Sequence, residues 1–351
     1  MSRVFGMGFP AVAKRRVYSG FPGDAAYNAA LYSFFFPLMK SPRKGFLLSL
    51  VTVVMWGALP LIMQQVLTVM APQTVVASRF FVASLILGVF LQRRHRRPSW
   101  RALSQPRYRR LLLVGVAGLV GNFWLFSSAL LYLPAAASQV LAQLSPFFLL
   151  FAGVFFLKEP LGRNQQIGAA ILFGGILLFF NRELPALFGG GLGGISLGIL
   201  LSVAACLVWA CYGLAQKVLL RDFSAQQILF VLYCGCALVS APFAHWSELR
   251  LLDGYQWLCL LFCCLNTPIA YGAFAEALNH WEVSKVSTTI TLVPLFTIVF
   301  AALGHWLQPQ HFAAVDINLL AAIGAMLVVF GAICSALQQR QKLEKTRRSG
   351  P

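Results

Sequence analysis

Ten apolar runs divide this chain, near residues 45–66, 72–92, 109–131, 137–157, 165–181, 194–218, 224–245, 254–278, 284–306 and 316–337. Most last about twenty residues, the length a helix needs to cross the hydrocarbon core of a bilayer. Polarity does not alternate along them, so they are not the strands of a membrane barrel. In lipid every backbone N–H and C=O needs a partner inside its own segment, which makes such runs helical. The two longest connections, the basic stretch from Gln92 to Arg110 and the Gly-rich stretch from Asn181 to Gly194, are too brief to fold as domains. The pattern predicts an all-α membrane protein with ten transmembrane helices and no soluble domain.

Composition agrees. Hydrophobic residues make up 59% and charged residues 11% of the 351, against about 25% charged in a soluble globule. A formal charge of +18 could suggest nucleic acid, but the basic residues sit in short segments between apolar runs, where they report membrane orientation instead. With the N-terminus in the cytoplasm, 25 of the 28 Lys and Arg residues face inward, only Arg182 and Arg250 face outward, and Arg79 lies within a span. So lopsided a distribution predicts a multi-pass inner (plasma) membrane protein with both termini cytoplasmic. The bilayer and a small-molecule substrate are the expected partners, nucleic acid is not, and the chain is expected to be a monomer or homodimer.

Residues 1–44 read as a disordered cytoplasmic tail. They carry Lys14-Arg15-Arg16, several glycines and an apolar patch from Leu31 to Leu38 that is too short to span and lacks a cleavage site. Met39 opens MKSPRKGFLL, which resembles a natural start, so N-terminal sequencing would decide whether residues 1–38 are translated. Residues 338–351 form a basic cytoplasmic tail.

The halves 45–181 and 194–337 resemble each other. Ser49 and Trp56 in the first span match Ser202 and Trp209 in the sixth, and Gln73 matches Gln226. Gln139, Gln143 and Pro146 in the fourth match Ser287, Thr291 and Pro294 in the ninth, while Gly168 and Gly175 match Gly324 and Gly331. Each half has five spans, an odd number, so the second enters the membrane from the opposite side. Ten helices as two inverted five-helix repeats suit alternating access, because one architecture can build both gates.

In lipid a polar side chain needs a reason. Gln139 and Gln143 share a helix face that Pro146 continues, and Ser287, Thr291 and Pro294 repeat the spacing. The stripe either lines a cavity or makes interhelical hydrogen bonds worth under about 1 kcal/mol each; its duplication favours the cavity. Asn122 and Asn266 lie on equivalent stripes at different depths, with cavity and packing roles both open. Trp56 and Trp209 are mid-span, away from the interface belts tryptophan prefers. They form pocket walls or pack on each other, the wall being favoured, and Tyr271 is a further wall candidate. Arg79 is a costly intramembrane charge, with Leu232 at the matching position. It binds a substrate carboxylate or ties helix ends through backbone carbonyls.

The cysteines, among them Cys263 and Cys264, have no histidine or carboxylate at ligand spacing, so no metal or cofactor is expected. No paired carboxylates, His-Glu motif or Ser-His constellation appears within the spans, which argues against an enzyme. A non-transporting receptor or a membrane-embedded enzyme remains the alternative to a carrier.

Several stretches resemble the EamA-like family of the drug/metabolite transporter superfamily: SLVTVVMWGALPLIMQQ with Trp56-Gly57, ASRFFVASLIL with Arg79, AAASQVLAQLSPFFLLFAGVFFLKEPL, IGAAILFGGILL, and VSKVSTTITLVPLFTIVFAAL. The likeness runs from Gly45 to Leu337. Family members usually carry an acidic residue at the end of the ninth span, as the fourth does at Glu159; here Gly304-His305-Trp306-Leu307-Gln308 has none. The resemblance implies a secondary transporter of small metabolites, an exporter of amino acids or related compounds.

Overall fold

A computed structural model describes residues 41–94, 98, 103–157, 162–183, 185, 193–281, 283–314 and 316–348. The tail to residue 40 and the Lys158-Glu159-Pro160 segment lie outside the described residues.

All regular structure among the described residues is helical. The chain runs α1 (Pro42–Leu67), α2 (Pro72–Arg93), α3 (Pro106–Ala129), α4 (Ala135–Ala142), α5 (Leu144–Leu157) and α6 (Arg163–Phe179). It continues with α7 (Gly194–Leu219), α8 (Ala225–Ser240), α9 (Gly254–His280), α10 (Val283–Ile290), α11 (Val293–Leu307) and α12 (Leu319–Arg348). Proline at the first position opens α1, α2 and α3, where its missing N–H costs nothing. Reciprocal capping boxes, Ser224 with Gln227 and Asp253 with Gln256, open α8 and α9.

Eight helical stretches are long and apolar enough to cross a membrane, with α4–α5 and α10–α11 each crossing as one broken unit. Two further helices are shorter in their apolar part. α6 has 17 residues and a polar first turn, Arg163 to Gln166, and α12 is apolar over Leu319–Ser335. α12 continues as a helix through the basic segment to Arg348, and Pro42, Arg43 and Lys44 belong to the first turn of α1.

The two broken crossings share one cause. Proline at i removes a backbone donor and its ring crowds the carbonyl at i−4. α4 stops at Ala142, four residues before Pro146, and α10 stops at Ile290, four residues before Pro294. Each break closes with a tighter i→i−3 bond, Gln143 N to Val140 O at 3.2 Å and Leu292 N to Thr289 O at 3.1 Å. Each broken pair still makes one of the expected spans, 137–157 and 284–306.

Neighbours in space come from opposite halves. α1 packs along α9, α3 along α7, α2 along α8 and α6 along α12. The α6–α12 seam is the tightest, because glycines face glycines across it. A Cβ on Gly168 would stand 2.6 Å from the Gly331 carbonyl oxygen, and one on Gly175 would stand 2.8 Å from that of Gly324. Small residues allow this backbone approach where no hydrophobic effect draws helices together. Many large apolar side chains point outward, with Phe155 76% and Trp306 77% exposed, while the polar Ser49, Thr52, Ser127 and Thr297 are fully buried. This distribution suits lipid as the surrounding solvent.

Candidate functional site

α1 is the structural centre of the polar residues. Pro60 lies inside it, so the carbonyl of Trp56, four residues earlier, has no helical donor. Gln139 on α4 supplies one, its Nε2 donating to Trp56 O at 2.9 Å. On either side, Asn266 Nδ2 on α9 donates to Met55 O at 2.6 Å, and Thr297 Oγ1 on α11 donates to Gly57 O at 2.9 Å. Three successive carbonyls of one helix are thus held by side chains from three others. The absence of a side chain at Gly57 lets α11 come close: a Cβ there would stand 3.1 Å from that of Phe296. The ring of Trp56 meets Tyr271 edge-on at 5.3 Å and Phe274 at 5.9 Å. Trp56, Gln139, Asn266 and Tyr271 are therefore gathered around one point.

Arg79 sits nearby on α2, only 3% exposed. Its Nε and Nη2 both donate to Thr267 Oγ1, at 3.2 and 3.1 Å, and its guanidinium lies 4.6 Å from the centre of the Phe123 ring. Thr267 follows Asn266 on α9, so Arg79 adjoins the same cluster.

The other expected residues lie elsewhere. Gln143 and Thr291 occupy the two equivalent helix breaks. Gln143 is 8% exposed, and its side-chain amide has no hydrogen-bond partner among the described residues. Thr291 Oγ1 turns back to Thr288 O at 2.7 Å. Ser287 is half-buried on α10, and its carbonyl accepts from Thr291 N at 3.2 Å. Asn122 Nδ2 donates to Ala205 O at 3.0 Å and links α3 to α7. Trp209 packs against the core cluster that includes Phe80, Phe123 and Tyr233, its ring 6.1 Å from that of Tyr212, with no ring contact to Trp56 among the described residues. Glu276 pairs with His280 at 3.2 Å near the end of α9.

A cavity of about 790 Å³ opens where α1, α6 and α11 finish and α4, α7 and α9 begin. None of the ten expected residues lines it. Its polar wall comes from residues sequence reasoning passed over. Gln64 Nε2 donates to Leu130 O and Leu133 O, at 3.1 and 2.9 Å, and Gln65 Nε2 donates to His311 O at 2.8 Å. Asn181 and Asn318 exchange amide hydrogen bonds, Arg182 meets Asp316 at 2.9 Å, and Tyr255 stacks on His311 at 4.3 Å. Polar residues at span ends are ordinary, because they reach headgroups and water. The adjacent pair Gln64-Gln65, just inside the end of an apolar run, was the one usable signal. Among the described residues no group of three His, Cys, Asp or Glu could hold a metal ion. The arrangement offers hydrogen bonds, aromatic faces and the buried Arg79 cation: means of binding a small polar molecule.

A family model described as the EamA-like transporter family matches residues 43–181 and again 196–337. The chain is 46% identical over 296 residues to the uncharacterized inner membrane transporter YhbE of Escherichia coli K12, covering 84% of this chain and 92% of that protein. It is 25% identical over 307 residues to a probable amino-acid metabolite efflux pump of Salmonella typhimurium, covering 82% and 96%. A solved crystal structure shares the fold at TM-score 0.57 and 19% identity, covering 85% of this chain and 98% of the other.

Proposed function

The chain belongs to the EamA-like transporter family, and on that footing we propose that it is a secondary transporter of the inner membrane that exports amino acids or related small metabolites by alternating access. The observation that carries this reading is the pairing of halves. α1 with α9, α3 with α7, α2 with α8 and α6 with α12 each join one half to the other. The fourth and ninth crossings also break at the same place, four residues before Pro146 and Pro294. Two inverted five-helix repeats, making ten crossings with both termini cytoplasmic, account for both features. Such repeats let one architecture form the inner gate and the outer gate in turn. The relative named as an amino-acid metabolite efflux pump supports the substrate class.

In this orientation α1 runs from the cytoplasm outward, so the cavity at its far end faces outside. The cluster around Trp56 then lies beneath the cavity. The substrate contacts we assign are Trp56, Arg79, Asn122, Gln139, Gln143, Trp209, Asn266, Tyr271, Ser287 and Thr291. Gln143 and Thr291 stand at the two breaks, where irregular backbone leaves polar groups for a ligand. The protein works in the bilayer as a monomer or homodimer. The test compares efflux of a mixed metabolite panel from cells with and without the protein, read by mass spectrometry. Protein-dependent appearance of amino acids outside is the expected result, and identical profiles would refute the reading.

A further inference from the structure

Arg79 is provided for in an unusual way. A guanidinium has five N–H groups. Three are engaged here, two on the single oxygen Thr267 Oγ1 and one, from Nη1, on Met63 Sδ at 3.6 Å. That thioether, a weak acceptor, also takes Ser127 Oγ at 3.7 Å. Among the described residues no backbone carbonyl is a partner, so Arg79 holds a side chain here and not a helix end. Among the described residues no carboxylate lies within ion-pair distance of it.

The surroundings hold further donor capacity. Tyr233 on α8 is 1% exposed and its hydroxyl has no partner among the described residues. Its ring packs on Phe80, the residue after Arg79, at 5.8 Å, and Phe80 in turn packs at 4.6 Å on Phe123, the ring that the guanidinium faces. A buried cation with spare N–H groups and an idle hydroxyl in the same packed cluster match an anion that offers two oxygens. The Nε–Nη2 edge is the edge a carboxylate takes bidentately, and Thr267 Oγ1 sits across it as a single, neutral acceptor.

We propose that Arg79 anchors the carboxylate of the transported compound, which displaces Thr267 from the Nε–Nη2 edge and takes the Tyr233 hydroxyl as an additional donor. The proposal rests on the transport reading and narrows it to carboxylate-bearing substrates. Amides, amines and neutral compounds are rejected, because they leave the cation uncompensated in a low-dielectric site. Arg79 is the part of the site that selects by charge, while the rings of Trp56, Tyr271 and Phe274 select by shape.

The test is a binding measurement that needs no transport. The melting midpoint of the purified protein in detergent is recorded with each proteinogenic amino acid and with its carboxamide at matched concentrations. At least one acid is expected to raise the midpoint while its carboxamide does not. Arg79→Lys keeps a point charge but loses the fork, so the apparent affinity for that acid should fall roughly ten- to hundredfold. Arg79→Gln should abolish the response. Thr267→Val provides the arm that survives if both Arg79 variants fail to fold. It removes the competing acceptor, so the acid should bind more tightly while the carboxamide stays without effect. The proposal is overturned if no acid shifts the wild-type midpoint, if acid and carboxamide act alike, if Arg79→Gln still responds, or if Thr267→Val leaves acid affinity unchanged. Efflux that persists alongside any of these results would leave transport standing and remove only the role of Arg79.

Discussion

Gln139 donates its amide to the carbonyl of Trp56 at 2.9 Å, the one carbonyl in α1 that Pro60 deprives of its helical donor. The two residues are 83 positions apart, and the bond ties the short helix α4 to the middle of α1. A buried carbonyl left without a donor costs about 1–3 kcal/mol. Gln139→Leu should therefore lower stability by roughly that amount. Pro60→Ala restores the backbone donor, so Gln139→Leu should cost distinctly less in that background. Melting midpoints of the four proteins in detergent form the cycle, and equal costs in both backgrounds would show that Gln139 does not replace the missing donor.

The α6–α12 seam yields a sharper contrast. A Cβ on Gly175 would stand 2.7 Å from Val328 N, whereas one on Gly174 would meet nothing within 4 Å. Gly175→Ala should reduce folded protein in the membrane, by about 1–3 kcal/mol of overpacking. Gly174→Ala should be neutral or slightly stabilising, since alanine favours helix. Equal abundance of the two variants would mean the seam is looser than the structure has it.

Eight crossings are legible because hydropathy at the twenty-residue scale is a local signal, whereas the breaks before Pro146 and Pro294 are not read there, because each stripe continues through them at helical spacing. What escaped was every feature that depends on which helix stands beside which. Thr267 is an ordinary threonine in an apolar run until α9 places it against Arg79. The stripe that carries Gln139 is visible in sequence, but the Trp56 carbonyl it serves lies on a helix that sequence alone does not bring next to it. Gln64 and Gln65 resembled any polar pair near a span end until the ends of α6, α9 and α11 gathered around them.

The proposed orientation rests on the basic residues, 25 of 28 of which face inward when both termini are cytoplasmic. Reporter fusions at the C-terminus and in the loop between Asn181 and Gly194 should give opposite answers. Matching answers would remove both the ten-crossing count and the inverted repeat.

The two helix breaks should matter for transport more than for folding. Among the described residues Gln143 has no side-chain partner to lose, and Thr291 Oγ1 bonds only within its own turn, at 2.7 Å. Leucine suits both lipid and packing, so Gln143→Leu and Thr291→Leu should lower transport while membrane abundance stays near normal. Normal transport by both variants would make the stripe structural.

The most direct measurement uses purified protein in liposomes loaded with a mixture of amino acids and related metabolites, with release followed by mass spectrometry. Protein-dependent release of at least one amino acid, slowed by Gln143→Leu at equal protein content, is the expected result. Release indistinguishable from that of protein-free liposomes for every compound would contradict a transporter of this class.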